Sequence, residues 1–250
     1  MDFKQKKKRV GYMRFLKWLM KSRYKQPAFI YVDEKFDDGT IILSNHEGTD
    51  APMAIEIYFD RAIRMWGTGE MNSGLKRLYK YQTKVYYHEK KGWNLTLARL
   101  FCLLASPLTY LFYNGFDLIS VFPNAKFITT LRESLKALDE KDNILIFPEG
   151  SSEGYLEELK GFFAGFITIC ETGLKKGKDI PLTTAYYRKK DNVYFFDKPI
   201  LYSELKKICS TKEEMCDYMC SRCNALNKIT LNEETIKNAQ NKDGVVITLN

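Results

Sequence analysis

The sequence predicts an α/β fold, with a mixed, mostly parallel sheet flanked by helices on both faces. Short apolar runs alternate with longer segments of helical periodicity through most of the chain. Two of these runs, at 40–44 and 143–147, lead directly into polar turn residues that open onto further helical segments. In such sheets, ligands bind where strands end and the following turns begin.

The elements of the N-terminal half follow from their apolar runs and from the turns between them. The turn Asp37-Asp38-Gly39 separates two short runs, each of which predicts a strand. Pro107 is expected to end the long helix of this half, because proline removes a backbone donor. The predicted elements are strands at 29–32, 40–44 and 62–66 and helices at 51–59 and 90–112, the latter helical mostly up to residue 107.

The C-terminal half continues the alternation. Four apolar side chains at helical spacing, Phe127, Leu131, Leu135 and Leu138, predict one buried helix face. A Lys-Lys-Asp-Asn turn at 189–192 predicts a hairpin between the last two strands. The predicted elements are strands at 118–122, 143–147, 180–187 and 193–196 and helices at 126–140 and 162–173.

The chain length of 250 residues suits one large α/β domain with small terminal additions. We divide it into a basic amphipathic segment at 1–24, an α/β domain at 25–230 and a polar, loosely ordered tail at 231–250. With 45% apolar residues the domain can bury a sizeable core.

The N-terminal segment concentrates much of the net charge of +8. A basic cluster at 4–9 precedes a predicted amphipathic helix in which Arg14, Lys17 and Lys21 form a stripe beside apolar side chains that include Trp18. Such a helix suits an anionic membrane interface, or it packs on its own domain. The interrupting charges argue against a secretory signal.

The longest uncharged stretch, 100–116, has 17 residues and falls just short of a membrane span. It predicts a buried helix, or a hydrophobic lip that receives an acyl chain or dips into lipid.

The six cysteines include four near the C-terminus, Cys209, Cys216, Cys220 and Cys223. Their spacing admits a zinc or iron–sulfur site. The stronger interpretation is a helix opened by a capping box at Ser210 and Glu213, with the last three cysteines on one buried stripe. Free thiols and no metal are therefore expected.

The chemistry-bearing residues lie in two segments about a hundred residues apart. Asn45, His46 and Asp50 follow the strand at 40–44, and Phe147-Pro148-Glu149-Gly150-Ser151 closes the strand at 143–147. A base, a carboxylate that orients it and an anion-binding turn are the components of an acyl-transfer site. The chain has only 2 histidines, so His88 is the sole competitor for the role of base.

These two segments resemble the first and third motifs of the glycerolipid acyltransferases, the family of glycerol-3-phosphate and lysophosphatidate acyltransferases. The resemblance implies that His46 and Asp50 form a catalytic dyad. It also implies that Asn45, Phe147, Pro148, Glu149 and Gly150, with Ser151 and Ser152, bind the substrate. Residues 115–121 resemble part of the family's intermediate block, and Ile180-Pro181-Leu182 resembles its late strand.

The sequence departs from the family pattern in three places. The family has four residues between the His and the Asp, whereas three separate His46 from Asp50, and the family position is Ala51. Phe122-Pro123 replaces the arginine of the intermediate block, and Ser152 replaces the arginine that often follows the third motif. Nearby cations in sequence are Lys126, Arg132, Lys160 and Arg188, none at a motif position.

Two interpretations of His46 and Asp50 remain open. If residues 46–50 are already helical, one turn places both side chains on one face, with Asp50 favoured by the helix dipole. Alternatively, Asp50 is an N-cap and His46 a hydrogen-bonded turn residue. Likewise, Glu149 either positions the acceptor or caps the following helix.

We therefore expect an acyltransferase of phospholipid biosynthesis, acyltransferase-like in fold. It would move a fatty acyl group from acyl-CoA or acyl carrier protein to a glycerolipid hydroxyl, such as that of a lysophospholipid. It would need no cofactor beyond that co-substrate and would be cytoplasmic, peripheral on the inner face of a membrane. The alternatives are a catalytically weak lipid-binding protein and a nucleic-acid-binding protein. The latter is suggested by aromatics interleaved with lysines at 76–87, but no nucleic-acid motif accompanies them, so we expect no nucleic-acid partner.

Overall fold

The computed structural model describes residues 11–122, 127–149, 156–240 and 244–249. Nine strands in these ranges form one sheet. In chain order they are β1 Ala28–Val32, β2 Ile41–Ser44, β3 Ile63–Thr68, β4 Ile119–Val121, β5 Asn143–Ile146, β6 Pro181–Arg188, β7 Val193–Phe196, β8 Ile200–Leu201 and β9 Val245–Ile247.

Helices lie between most of these strands in the chain. A π-helical segment, Gln82–Lys90, joins α4 to the turn that precedes α5. In chain order the helices are α1 Gly11–Lys21, α2 Asp50–Tyr58, α3 Gly69–Asn72, α4 Leu75–Tyr81, α5 Leu95–Gly115, α6 Phe127–Asp139, α7 Gly165–Lys175, α8 Tyr202–Ile208, α9 Lys212–Asn227 and α10 Glu233–Gln240.

The sheet is mixed and mostly parallel. Its strand order is β4-β3-β5-β2-β6-β7-β1-β9, with β8 pairing with β6. The first five strands in this order run parallel, β6 and β7 form an antiparallel hairpin, and β7, β1 and β9 are again parallel. The predicted α/β class and the predicted hairpin around 189–192 are confirmed.

Helices cover both faces of the sheet and enclose two cores. In β2, Ile41 and Leu43 point into one core and Ile42 into the other, as the two-residue period of a strand requires. The first core is closed by α6 to α10, and the second by α2 together with Met13 of α1. Because both faces are covered, β2 is buried throughout.

The structure differs from the expected helices at one proline. Helix α5 does not end at Pro107 but continues to Gly115. Pro107 lies on the exposed side, so only the bond its N–H would make to residue 103 is lost. Helices α3 and α4, the π-helix and α8 were not predicted, because they have only 4, 7, 9 and 7 residues, too few to establish a periodic pattern.

The C-terminal segment is not the loosely ordered tail that was expected. Residues 233–240 form α10, and β9 adds a parallel strand to β1, pairing Tyr31 with Val246. Its three-residue apolar run, Val245–Ile247, was too short to predict a strand among polar neighbours.

Candidate functional site

The ends of β2 and β5 place His46 beside Glu149. The two strands are parallel neighbours in which Leu43 lies opposite Ile146. His46 and Glu149 each lie three residues further along, so the two chains leave the sheet side by side. The backbone N–H of His46 donates to a carboxylate oxygen of Glu149. The structure thus joins the two motifs through a direct contact.

The imidazole of His46 is partly buried. Its ring packs on Phe147, with 4.6 Å between centroids and 56° between planes. Burial lowers the pKa of His46, and hydrogen bonds with the backbone of His46 and Gly48 only partly oppose this shift. A lowered pKa keeps the imidazole neutral near pH 7, which is the form a general base requires.

Asn45 fixes the loop that carries His46. Its side-chain Nδ2 donates to the carbonyl of Tyr187 at 3.0 Å, and its Oδ1 accepts from the N–H of Tyr187 at 2.7 Å. The amide therefore imitates one more rung of the β2–β6 ladder beyond Ser44 and Ala185. Only 2% of Asn45 is exposed. Although the resemblance implies substrate binding, its side chain has a structural role here.

The segment between His46 and Asp50 is a turn. Gly48 has a φ of 58°, and its N–H donates to the carbonyl of His46. Helix α2 begins only at Asp50, with Thr49 as its N-cap. The premise that one helical turn connects His46 to Asp50 is therefore wrong, as is the idea that Asp50 is the N-cap. Asp50 does lie in the first turn of α2, where the helix dipole favours a carboxylate.

The family spacing is incompatible with this turn. Ala51, the position at which the family has its Asp, is fully buried in the second core. An aspartate there would bring a carboxylate into an apolar core, at a cost of several kcal/mol. Asp50, one residue earlier, is partly exposed at the start of α2.

The carboxylate of Asp50 has a cationic neighbour that sequence reasoning missed. Lys189, the first residue after β6, places its Nζ 2.8 Å from Oδ2 of Asp50. Because β6 is parallel to β2, its end reaches the same edge of the sheet as His46. The position of Lys189 at the start of the predicted hairpin turn, at the end of a predicted strand, was the signal that could have identified it.

One of the cations that sequence reasoning considered, Arg188, is engaged within the domain. Arg188 is buried, pairs with Asp191 and donates to the carbonyls of Asn227 and Ile229. It therefore joins β6 to α9. Lys126 lies outside the described residues.

Pro148 and Glu149 are held against a later segment of the chain, at Phe162 and Phe163. The N–H of Phe163 donates to the carbonyl of Pro148 at 2.7 Å, and Glu149 forms an antiparallel bridge with Phe162. Further along, the side chain of Asn224 makes two hydrogen bonds with the backbone of Leu159. The predicted site residues Gly150, Ser151 and Ser152 lie outside the described residues.

Among the described residues that follow Glu149, the first helix is α7. The helix expected at 162–173 begins at Gly165, after the returning segment. Burial raises the pKa of Glu149, and the hydrogen bond from His46 N–H partly opposes this shift. Its observed contact is therefore with the His46 loop.

The C-terminal cysteines belong to the core. Cys216, Cys220 and Cys223 lie on the buried face of α9, which confirms the predicted stripe. The capping box is one residue later than expected, with Thr211 and Glu214 in place of Ser210 and Glu213. Among the described residues, no three His, Cys, Asp or Glu side chains converge in a way that could hold a metal.

Comparison with known proteins adds no assignment. No model of a known protein family matches the chain, and no curated protein matches it in sequence.

Proposed function

We propose that the protein transfers an acyl group from a thioester to a lipid hydroxyl, with His46 as the general base. The observation that carries this proposal is the contact between the two motifs, in which Glu149 accepts from the backbone of His46. It fixes a partly buried imidazole at the carboxyl edge of a mostly parallel sheet, where α/β proteins bind ligands.

The proposed acyl transfer needs no nucleophile from the protein. His46 takes the proton of the acceptor hydroxyl as the hydroxyl oxygen attacks the thioester carbonyl. The C–S bond then breaks, and the leaving thiolate receives that proton from the imidazolium, which gives an ester and a free thiol. Acyl-CoA or acyl carrier protein would be the donor. Asp50, at the start of α2, would stabilise the imidazolium.

Asp50 also forms an ion pair with Lys189, and this contact favours the lipid-binding alternative. Its ion pair with Lys189 neutralises the carboxylate on which the imidazolium would depend. If this pair persists with lipid bound, the protein is a catalytically weak lipid binder with an acyltransferase-like fold. Alternatively, the anionic head of an acceptor displaces Asp50 from Lys189 and releases the carboxylate for His46.

The deciding experiment is an assay with labelled acyl-CoA against lysophospholipids and neutral hydroxylated lipids. Wild type is compared with His46→Ala and with His88→Gln, a control at the only other histidine. We expect His46→Ala to lose on the order of a hundredfold or more in turnover, the scale of a missing general base. His88→Gln should retain turnover, since His88 is exposed on the π-helix. Lipid binding without turnover in wild type would favour the lipid-binding alternative.

A further inference from the structure

Helix α5 presents a continuous apolar stripe to the outside. Positions three and four apart share a helix face, and the exposed side chains follow that spacing for about 20 Å. Leu104, near the middle, is 84% exposed. The stripe consists of Leu97, Leu100, Phe101, Leu104, Leu108 and Leu111.

The opposite face of α5 is attached to the domain. Ala98, Cys102 and Ser106 are buried, and α5 packs along the π-helix and α4. The side chain of Gln82 donates to Thr109 at 3.2 Å. The apolar stripe is therefore the outer face of α5, whose inner face packs against the domain.

Helix α1 extends this stripe at its C-terminal end. Met13 of α1 packs against Gly115, and the hydroxyl of Tyr12 lies 3.5 Å from the carbonyl of Leu111. Beyond that junction, α1 exposes Phe15 and Trp18, whose rings stack at 5.9 Å, followed by Leu19. The exposed apolar residues of the two helices thus meet at Tyr12 and Leu111.

We propose that α1 and α5 together form one surface that lies in the interface of an anionic lipid leaflet. The two helices contain four basic residues and no Asp or Glu. Lys17 faces inward to the buried Glu56, whereas Arg14, Lys21 and Arg99 are exposed beside the apolar stripe. Apolar side chains flanked by cations match the two parts of such an interface.

The surface adjoins the candidate site. Just after α1, the hydroxyl of Tyr24 lies 3.2 Å from Oγ1 of Thr49, the N-cap of the helix that carries Asp50. A docked leaflet would present its lipids beside the His46 turn. Only this consequence rests on the proposed function, in that the acceptor is taken to be a lipid.

In this proposal α5 contacts one leaflet from its outer side and does not cross the bilayer. By length and apolar composition, α5 is the one candidate span among the described residues. Its inner face, however, is packed on α4, which carries exposed Lys76, Arg77 and Lys80. Crossing would bring these charges into hydrocarbon, which is strongly unfavourable.

The first test measures vesicle binding by the full-length protein without acyl donor. The vesicles contain phosphatidylcholine alone or mixed with phosphatidylglycerol. We expect binding to require phosphatidylglycerol and to weaken about tenfold in Leu104→Gln/Leu108→Gln, because two exposed leucines that the lipid would cover are lost. Ile208→Gln on α8 is the control, because Ile208 is a similarly exposed aliphatic residue outside the surface. Equal binding by wild type and the α5 variant would overturn the proposal.

The second test distinguishes an α5 that lies in the membrane interface from an α5 that crosses the bilayer. The six native cysteines are buried, so a thiol reagent will favour an introduced exposed one. Thr96→Cys and Asn114→Cys mark the two ends of α5, both exposed. On vesicles, we expect an impermeant thiol reagent to reach both positions. Protection of one end alone would show that α5 spans the bilayer. If instead the lipid-free protein is a dimer that Leu104→Gln/Leu108→Gln dissociates, a second copy of the chain covers this face. Either result contradicts the proposal.

These tests are independent of turnover. Loss of vesicle binding with retained transfer to a dispersed lysophospholipid supports the surface and leaves the catalytic proposal intact. Vesicle binding by a protein without acyl transfer supports the surface and contradicts the catalytic proposal.

Discussion

Glu149 accepts a hydrogen bond from the backbone N–H of His46, so the acid of one motif holds the loop of the other. The contact follows from parallel register, since each residue lies three positions beyond the paired residues Leu43 and Ile146. It gives Glu149 a positioning role that does not depend on the acceptor.

The first prediction concerns pH. Burial lowers the pKa of His46, so protonation of the base should occur below its ordinary value of 6.5. The acid limb of kcat/KM should therefore have its midpoint below pH 6.5, with activity falling as the imidazole protonates. A pH–rate profile with a saturating acyl donor measures it. A midpoint above pH 6.5 would contradict the assignment of this limb to a buried His46.

Glu149→Gln tests whether burial disfavours the ionised form of the Glu149 carboxyl group. The pKa of Glu149 is raised, so the folded protein holds this proton more tightly than the unfolded chain does. The stability of wild type should decrease, relative to Glu149→Gln, as pH rises from 4.5 through the raised pKa. Thermal unfolding of both proteins across this range measures the difference. A relative stability that moves in the opposite direction would show that ionised Glu149 is stabilised by its surroundings.

Asn45→Ala should destabilise the protein. The change removes both hydrogen bonds to Tyr187 and leaves a buried N–H and carbonyl without them, at a cost of about 2–4 kcal/mol. Urea unfolding measures this, with the exposed Asn114→Ala as control. Unchanged stability with lost activity would instead support the substrate-binding role that the family resemblance implies.

Asp50→Asn should lower turnover nearly as much as His46→Ala, because the imidazolium would lose its counter-charge. Asp60→Asn, an exposed acid just beyond the other end of α2, is the matched control. Steady-state acyl transfer measures both. Full activity of Asp50→Asn would limit Asp50 to its ion pair with Lys189.

Lys189→Met should distinguish between acceptors. If the head group of the acceptor replaces Asp50 as the partner of Lys189, KM for a phosphate-bearing acceptor should rise about tenfold with little change in kcat. KM for a neutral hydroxylated lipid should stay near the wild-type value. An equal rise for both acceptors would indicate that Lys189 shapes the site without binding phosphate.

The sequence alone predicted seven of the nine strands of the sheet and the two motifs that follow β2 and β5. Buried strands such as β2 and β5 are short apolar runs, and this local pattern is sufficient to predict them and the turns that follow. The hairpin around 189–192 and the cysteine stripe of α9 were predicted for the same reason. The course of α5 past Pro107 was not, because the penalty for a proline depends on which side of the helix it occupies.

Tertiary structure alone decided which residues meet. The contact of His46 with Glu149, the two bonds of Asn45 to Tyr187 and the pairing of Asp50 with Lys189 each join segments that are far apart in the chain. Strand order and register set these contacts, and neither is encoded in the local spacing of a motif. The spacing from His46 to Asp50 suggested one helical turn, whereas the fold places Gly48 between them in a left-handed turn.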